Sequence, residues 1–187
     1  MFKKCILFAL FGLFAVSGVH AQKYFTREGK VSFSSDAKVE KIEAVNKTAT
    51  SVYDATTGKM EFAVLIKAFQ FEKALMQEHF NENYMESDKF PKASFKGTVT
   101  DFKAVNLAKD GVYPVKVKGQ LSIHGVTKDV EADGKFTVKG GVIAAASTFE
   151  VAVADYGIVI PAVVRDNIAK TVKIDVALTY QELKKGS

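Results

Sequence analysis

The stretch "QLSIHGVTKDV", residues 120–130, places a histidine and a glycine between two runs that alternate with a period of two. Upstream, Tyr113, Val115, Val117, Gly119, Leu121 and Ile123 share one parity, and Lys116, Lys118, Gln120, Ser122 and His124 the other. Downstream, Val126, Val130, Ala132, Phe136 and Val138 oppose Thr127, Asp129, Glu131, Asp133 and Lys135. Such alternation marks half-buried strands. A glycine between two of them predicts a short antiparallel turn, because glycine takes positive φ without the steric cost other residues bear. His124 then sits on the polar face beside the turn, with no serine, cysteine or carboxylate placed to make a triad. It is expected to be an exposed turn residue and not a catalyst.

The same signature recurs along the chain. Met60, Phe62, Val64 and Ile66 alternate after the turn-like "DATTG". Ala93, Phe95 and Val99 share a face, as do Ile143, Phe149, Val151 and Val153, and then Val172, Ile174, Val176, Leu178 and Tyr180. Weaker strand candidates cover 24–34, 39–47 and 49–54. The sum is about eight strands joined mostly by short links. One segment departs from the pattern: "FEKALMQEHFNENYMES" carries Met76, Phe80 and Tyr84 at four-residue spacing, with Leu75 and His79 on an adjoining row. This predicts an amphipathic helix of about three turns that ends before Pro91. The prediction is a mainly all-β chain, a closed barrel or a sandwich. A barrel of this size is either filled by its own side chains or holds one small ligand, and the alternation favours neither. The small residues of "GGVIAAAST" fit tight strand curvature first and spare interior room second. Ala145 shares parity with Ile143, Phe149 and Val151 and should point inward.

The first 21 residues read as a leader. "MFKK" is basic, "CILFALFGLFAV" is too short to span a bilayer comfortably, and "SGVHA" offers Val19 and Ala21 to a signal peptidase. Cleavage after Ala21 leaves a single domain over 22–187 and removes Cys5 and His20. The mature chain then has no disulfide, thiol nucleophile or thiolate metal site. Loss of Lys3 and Lys4 takes 26 basic residues to 24 against 21 acidic ones, so the charge falls from +5 to +3. That mild surplus is spread along the chain without the basic stripe of a nucleic-acid binder. No later segment is long and apolar enough to cross a membrane. The expected location is extracytoplasmic, periplasmic or secreted.

Three segments carry a family resemblance. "FPKASFKGTV" (90–99), "GQLSIHGVTKDV" (119–130) and "VADYGIVIP" (153–161) resemble, in sequence and spacing, the signature segments of the YceI-like lipid-binding proteins. The resemblance covers roughly residues 27–181, and "IHGVTK" is its most specific piece. It implies an eight-stranded antiparallel lipocalin-like barrel with one short amphipathic helix. It also implies a polyisoprenoid or quinone-like lipid held inside as ligand, with no cofactor beyond it and no catalysis. Where the family often has an arginine, three residues before the aromatic of the last segment, this chain has Val153.

If the barrel holds a lipid tail, its wall should come from the apolar faces: Phe62, Val64, Phe95, Leu121, Ile123, Phe149, Val151 and Ile174, with Met76 and Phe80 from the helix. Each of these is equally an ordinary core residue. Lys128 falls on the apolar parity between Val126 and Val130. It either pairs with an anionic head group at the barrel mouth or snorkels to water. Glu78, His79 and Glu82 are the best cluster for a metal, but with one nitrogen ligand and no H-E-x-x-H they predict none, and His79 is expected to be packed or hydrogen-bonded. Arg165, Asp166 and Asn167 read as a polar loop rimming the barrel. No G-x-S-x-G, phosphate loop or dinucleotide fingerprint occurs. The leading expectation is an exported lipid-binding barrel whose partner is an amphiphilic lipid, and a homodimer is compatible with it. The alternative is a solid-core barrel acting as an interaction or structural module without ligand.

Overall fold

The computed structural model describes residues 22–183. Its strands are β1 (Lys23–Asp36), β2 (Lys41–Asp54), β3 (Lys59–Leu65), the two-residue β4 (Gln70–Phe71), β5 (Lys92–Val99), β6 (Gly111–Ile123), β7 (Val126–Lys139), β8 (Val142–Ala152) and β9 (Thr171–Glu182). Neighbours run β1-β9-β8-β7-β6-β5-β3-β2, and β1 pairs back onto β2. Eight antiparallel strands therefore close into a barrel, with β4 appended to β2. Closure leaves the eight strands without a free sheet edge at either end of the order.

The turn between Ile123 and Val126 is a two-residue hairpin. Ile123 pairs with Val126, and His124 (φ 50°) and Gly125 (φ 74°) both have the positive φ that a type I′ turn needs. A Cβ on Gly125 would come within 2.5 Å of the Phe90 ring, so glycine is required there on two counts.

The weak candidates 39–47 and 49–54 form one strand, β2. Its buried positions are Ala44 and Asn46, then Ala49, Ser51 and Tyr53, so the inward parity switches across Lys47 and Thr48. Asn46 turns inward at the switch. Its amide donates to the Leu65 carbonyl at 2.9 Å, and its carbonyl accepts from the Thr48 amide at 2.8 Å. Opposite, β1 changes register on both sides of Gly29, where a Cβ would stand 2.6 Å from Leu178. These paired irregularities bend the two long strands around the barrel.

The helix is shorter than predicted. An α-helix, α1, covers Ala74–His79, and Phe80–Tyr84 continue it as a π-turn. The Met85 amide donates to the Phe80 carbonyl five residues back. No helix among the described residues is long and apolar enough to cross a membrane.

Candidate functional site: a half-filled barrel

The barrel interior divides along its axis. At the end where β1 begins and β2 finishes, Tyr24, Tyr53, Val99, Val115, Phe136, Val138, Ile143 and Tyr180 form a packed floor, and Phe102, Val105 and Leu107 pack against it from the β5–β6 connection. The rings of Tyr53 and Phe136 lie 4.9 Å apart. The Tyr180 hydroxyl shares a 2.8 Å hydrogen bond with Ser51 Oγ, which also donates to the Glu61 carbonyl. Burial pushes the Tyr53 phenol up to about 12 and the Tyr180 phenol up further. Ala145 points inward as expected, but it packs on this floor.

Above the floor the barrel is hollow. A cavity of about 850 Å³ is lined by Phe62, Val64, Phe95, Leu121, Ile123, Phe149, Val151 and Ile174 from the strands, with Met76 and Phe80 from the helical segment and Lys128. All eleven residues picked from parity and helical spacing thus surround one space. Alternation could find them because a closed barrel turns every inward position toward a common axis.

Other wall residues carried weaker signals. Phe33, Phe69 and Phe71 line the cavity and pack around Phe80, with ring centroids between 5.0 and 5.7 Å from it. This aromatic group seats the helical segment on the wall. Phe69 and Phe71 flank Gln70, an alternation too short to stand out as a strand. Tyr156, Ile158, Ile160, Val164 and Ile168 come from the strap between β8 and β9, which has no sequence period. Val153, at the family's arginine position, is a buried apolar wall residue.

Phe95 owes its place to glycine. Gly97 and Gly119 face each other across β5 and β6. A Cβ on Gly119 would overlap the Phe95 ring at 2.8 Å and collide with the Lys96 carbonyl. The ring therefore lies over two bare backbones.

Polar residues line the cavity at its mouth and along the edges of β7 and β8. Lys73 pairs with Glu40 at 3.0 Å. Lys128 is exposed and, among the described residues, forms no ion pair. His79 borders the mouth as an exposed side chain, not packed as expected. Asn167 lines the cavity, while Arg165 and Asp166 face solvent. No group of three or more His, Cys, Asp or Glu among the described residues could hold a metal.

His124 corrects its expectation in two respects. It turns the corner, but its side chain is only 12% exposed and a carboxylate, that of Glu86, lies against it. Nε2 lies 2.9 Å from Glu86 Oε2 and Nδ1 3.1 Å from the Tyr156 carbonyl, and Phe90 packs edge-on at 4.6 Å. A single ring thus ties together the three signature segments and the end of the helical insertion. Sequence distance hid this, since Glu86 and Tyr156 lie 38 and 32 residues away.

The YceI-like domain family matches residues 16–180. Among solved structures, a polyisoprenoid binding domain from Saccharophagus degradans implicated in plant cell wall breakdown superposes with a TM-score of 0.76 at 16% identity, over 87% of this chain and 99% of that one. BcnA of Burkholderia cenocepacia superposes with 0.67 at 14%, over 82% and 96%. A mutant Campylobacter jejuni YceI protein superposes with 0.55 at 15%, over 80% and 90%. No curated protein sequence matches the chain. At these identities the structures show a shared fold, and the sequence match spans nearly the whole barrel: the chain belongs to the YceI-like domain family.

Proposed function

We propose that this protein is an exported, non-catalytic carrier that holds one amphiphilic lipid of the polyisoprenoid or quinone class. The observation that carries the reading is the apolar cavity of about 850 Å³ above a packed floor. It lies in the upper part of the roughly 300–1,000 Å³ range of pockets that bury small molecules. Its wall is aliphatic and aromatic, which suits a tail that contributes about 25 cal/mol per Å² of buried apolar surface. The structurally similar polyisoprenoid binding domain supports the ligand class. Polar residues on the cavity's rim suit a ligand whose head stays near water, and Lys128, exposed on β7, is the cation we assign to an anionic head.

Native mass spectrometry of protein purified from its own source tests the reading. A discrete adduct lost on denaturation is expected, and a bare protein that also fails to take up prenyl lipid from vesicles would leave the interaction-module alternative. Export rests on the leader, which lies outside the described residues. N-terminal sequencing of the secreted protein should begin Gln22-Lys23-Tyr24, and a retained "MFKK" would refute it.

A further inference from the structure

The barrel wall has an opening that its topology conceals. β6 pairs with β7 along its whole length, and β9 with β8. β7 and β8 pair with each other only from Gly134–Ser147 to Lys139–Val142. Above that point, Val126–Asp133 and Thr148–Ala152 remain strands with no partner on their facing sides. The opening has a sill, where Ser147 Oγ donates to the Asp133 carbonyl at 2.7 Å. It has a lintel in the turn Val153–Tyr156, whose last carbonyl is held by His124. The cavity is bordered here by residues of both parities: inward Lys128, Val130 and Phe149, and outward Asp129, Glu131 and Glu150. A space bounded by both faces of a sheet passes through it.

The sequence keeps the strands apart. Continuing the observed register would set Glu150 opposite Glu131, and like charges directly opposite destabilise a ladder. Each strand instead finds opposite charge on its outer side. Glu131 binds Lys116 at 3.3 Å and Lys118 at 2.9 Å, which holds its carboxyl below the usual range, and Glu150 lies across from Lys173.

We propose that this window between β7 and β8 is the passage by which the lipid tail enters and leaves. The proposal rests on the lipid-binding reading above. A flexible chain that enters broadside need not thread the mouth end-on between the helical segment and the strap. The acidic outer edge disfavours passage of an anionic head, so the tail crosses and the head remains outside or at Lys128.

The test bars the window from outside without touching the wall residues proposed to bind. In the full chain carrying Cys5→Ser, Asp129→Cys and Ala152→Cys, which face each other in the same continued register and leave Glu131 and Glu150 in place, are bridged by a short bifunctional thiosulfonate, which spans the gap whether or not its edges can meet and is released by reductant. Decylubiquinone is the probe, read by quenching of tyrosine fluorescence, since Tyr84 and Tyr156 line the cavity. Bridging should slow both association and dissociation about tenfold or more while the affinity stays within about threefold, because a passage alters rates and not the bound state. Equal rates in bridged and reduced protein would overturn the passage while leaving the lipid reading intact. Slower rates accompanied by lost affinity would make the edges part of the binding site, which also overturns it. If the reduced protein fails to bind decylubiquinone or vesicle-borne prenyl lipid, the lipid reading falls and the passage with it.

Discussion

At the scale of single residues, the family signature is a structural knot. Phe90, His124, Gly125, Tyr156 and Gly157 belong to three separate segments, and all meet around one imidazole. His124 has positive φ, lies within hydrogen-bonding distance of Glu86 and the Tyr156 carbonyl and turns the hairpin, so His124→Ala removes the ring's polar contacts while the backbone strain, already present with histidine, is unchanged. The expected cost is about 1–3 kcal/mol, read as a lower urea midpoint at unchanged m-value. His124→Asn keeps a side chain that tolerates this conformation and should recover part of the loss. A midpoint unchanged by His124→Ala would show that the bridge to Glu86 and Tyr156 holds nothing. Gly119 makes a second case. Gly119→Ala pushes a methyl into the Phe95 ring and the Lys96 backbone, an overpacking worth about 1–3 kcal/mol. Because Phe95 lines the cavity, lipid retention should fall with the midpoint, whereas an effect on stability alone would separate Phe95 from the ligand.

At the scale of elements, legibility in the sequence followed the regularity of the backbone. β6 and β7 could be read residue by residue because an uninterrupted antiparallel ladder keeps one parity inward from Tyr113 to Val138. β2 appeared as two pieces because a bulge at Lys47 and Thr48 moves the inward positions from even to odd numbers. The helix was predicted too regular because spacing does not distinguish an α-turn from a π-turn. The strap from Val153 to Lys170 carries no period, so the wall residues it contributes could not be found that way. The bulged β2 also delivers Tyr53 to the floor beside Tyr180 of β9, with ring centroids 6.2 Å apart, and this gives the floor an alkaline limit. In the fold Tyr53 keeps its proton to about pH 12, while the ordinary phenol loses it near 10.0. Between those values the folded state binds more protons than the unfolded one, so rising pH favours unfolding. Stability should hold up to about pH 10 and fall from there through 12. Tyr53→Phe should make that decline shallower while Tyr180, raised further, carries the rest, and an equally steep decline in the variant would take Tyr53 out of the alkaline limit.

At the scale of the whole molecule, the same eight strands are asked to do two things, and the axial division separates them. The packed floor supplies a contiguous core that stabilises the fold, which leaves the upper half free to exchange apolar contacts with itself for contacts with a ligand. Two alanines test that division because both point inward, on neighbouring strands, at different heights. Ala145 on β8 packs against the floor across from Phe136 and Leu178. Ala132 on β7 lines the cavity. Ala145→Phe presses a ring against Phe136 and Leu178 and should cost about 1–3 kcal/mol by overpacking. The lipid bound per molecule should change little at temperatures where the variant remains folded. Ala132→Phe places the same ring in the hollow half. It should leave the unfolding free energy from urea titration within roughly 1 kcal/mol of the parent, since a ring that finds free space forces no neighbour off its rotamer. The retained lipid in native mass spectra should nonetheless fall sharply. The pattern across the two variants matters more than either value. Large destabilisation from both would mean that the upper half is packed as tightly as the floor, and the barrel would then be the solid module. Loss of lipid from both with stability intact would mean that the ligand reaches down past Leu178, which would require the floor to open when the cavity fills.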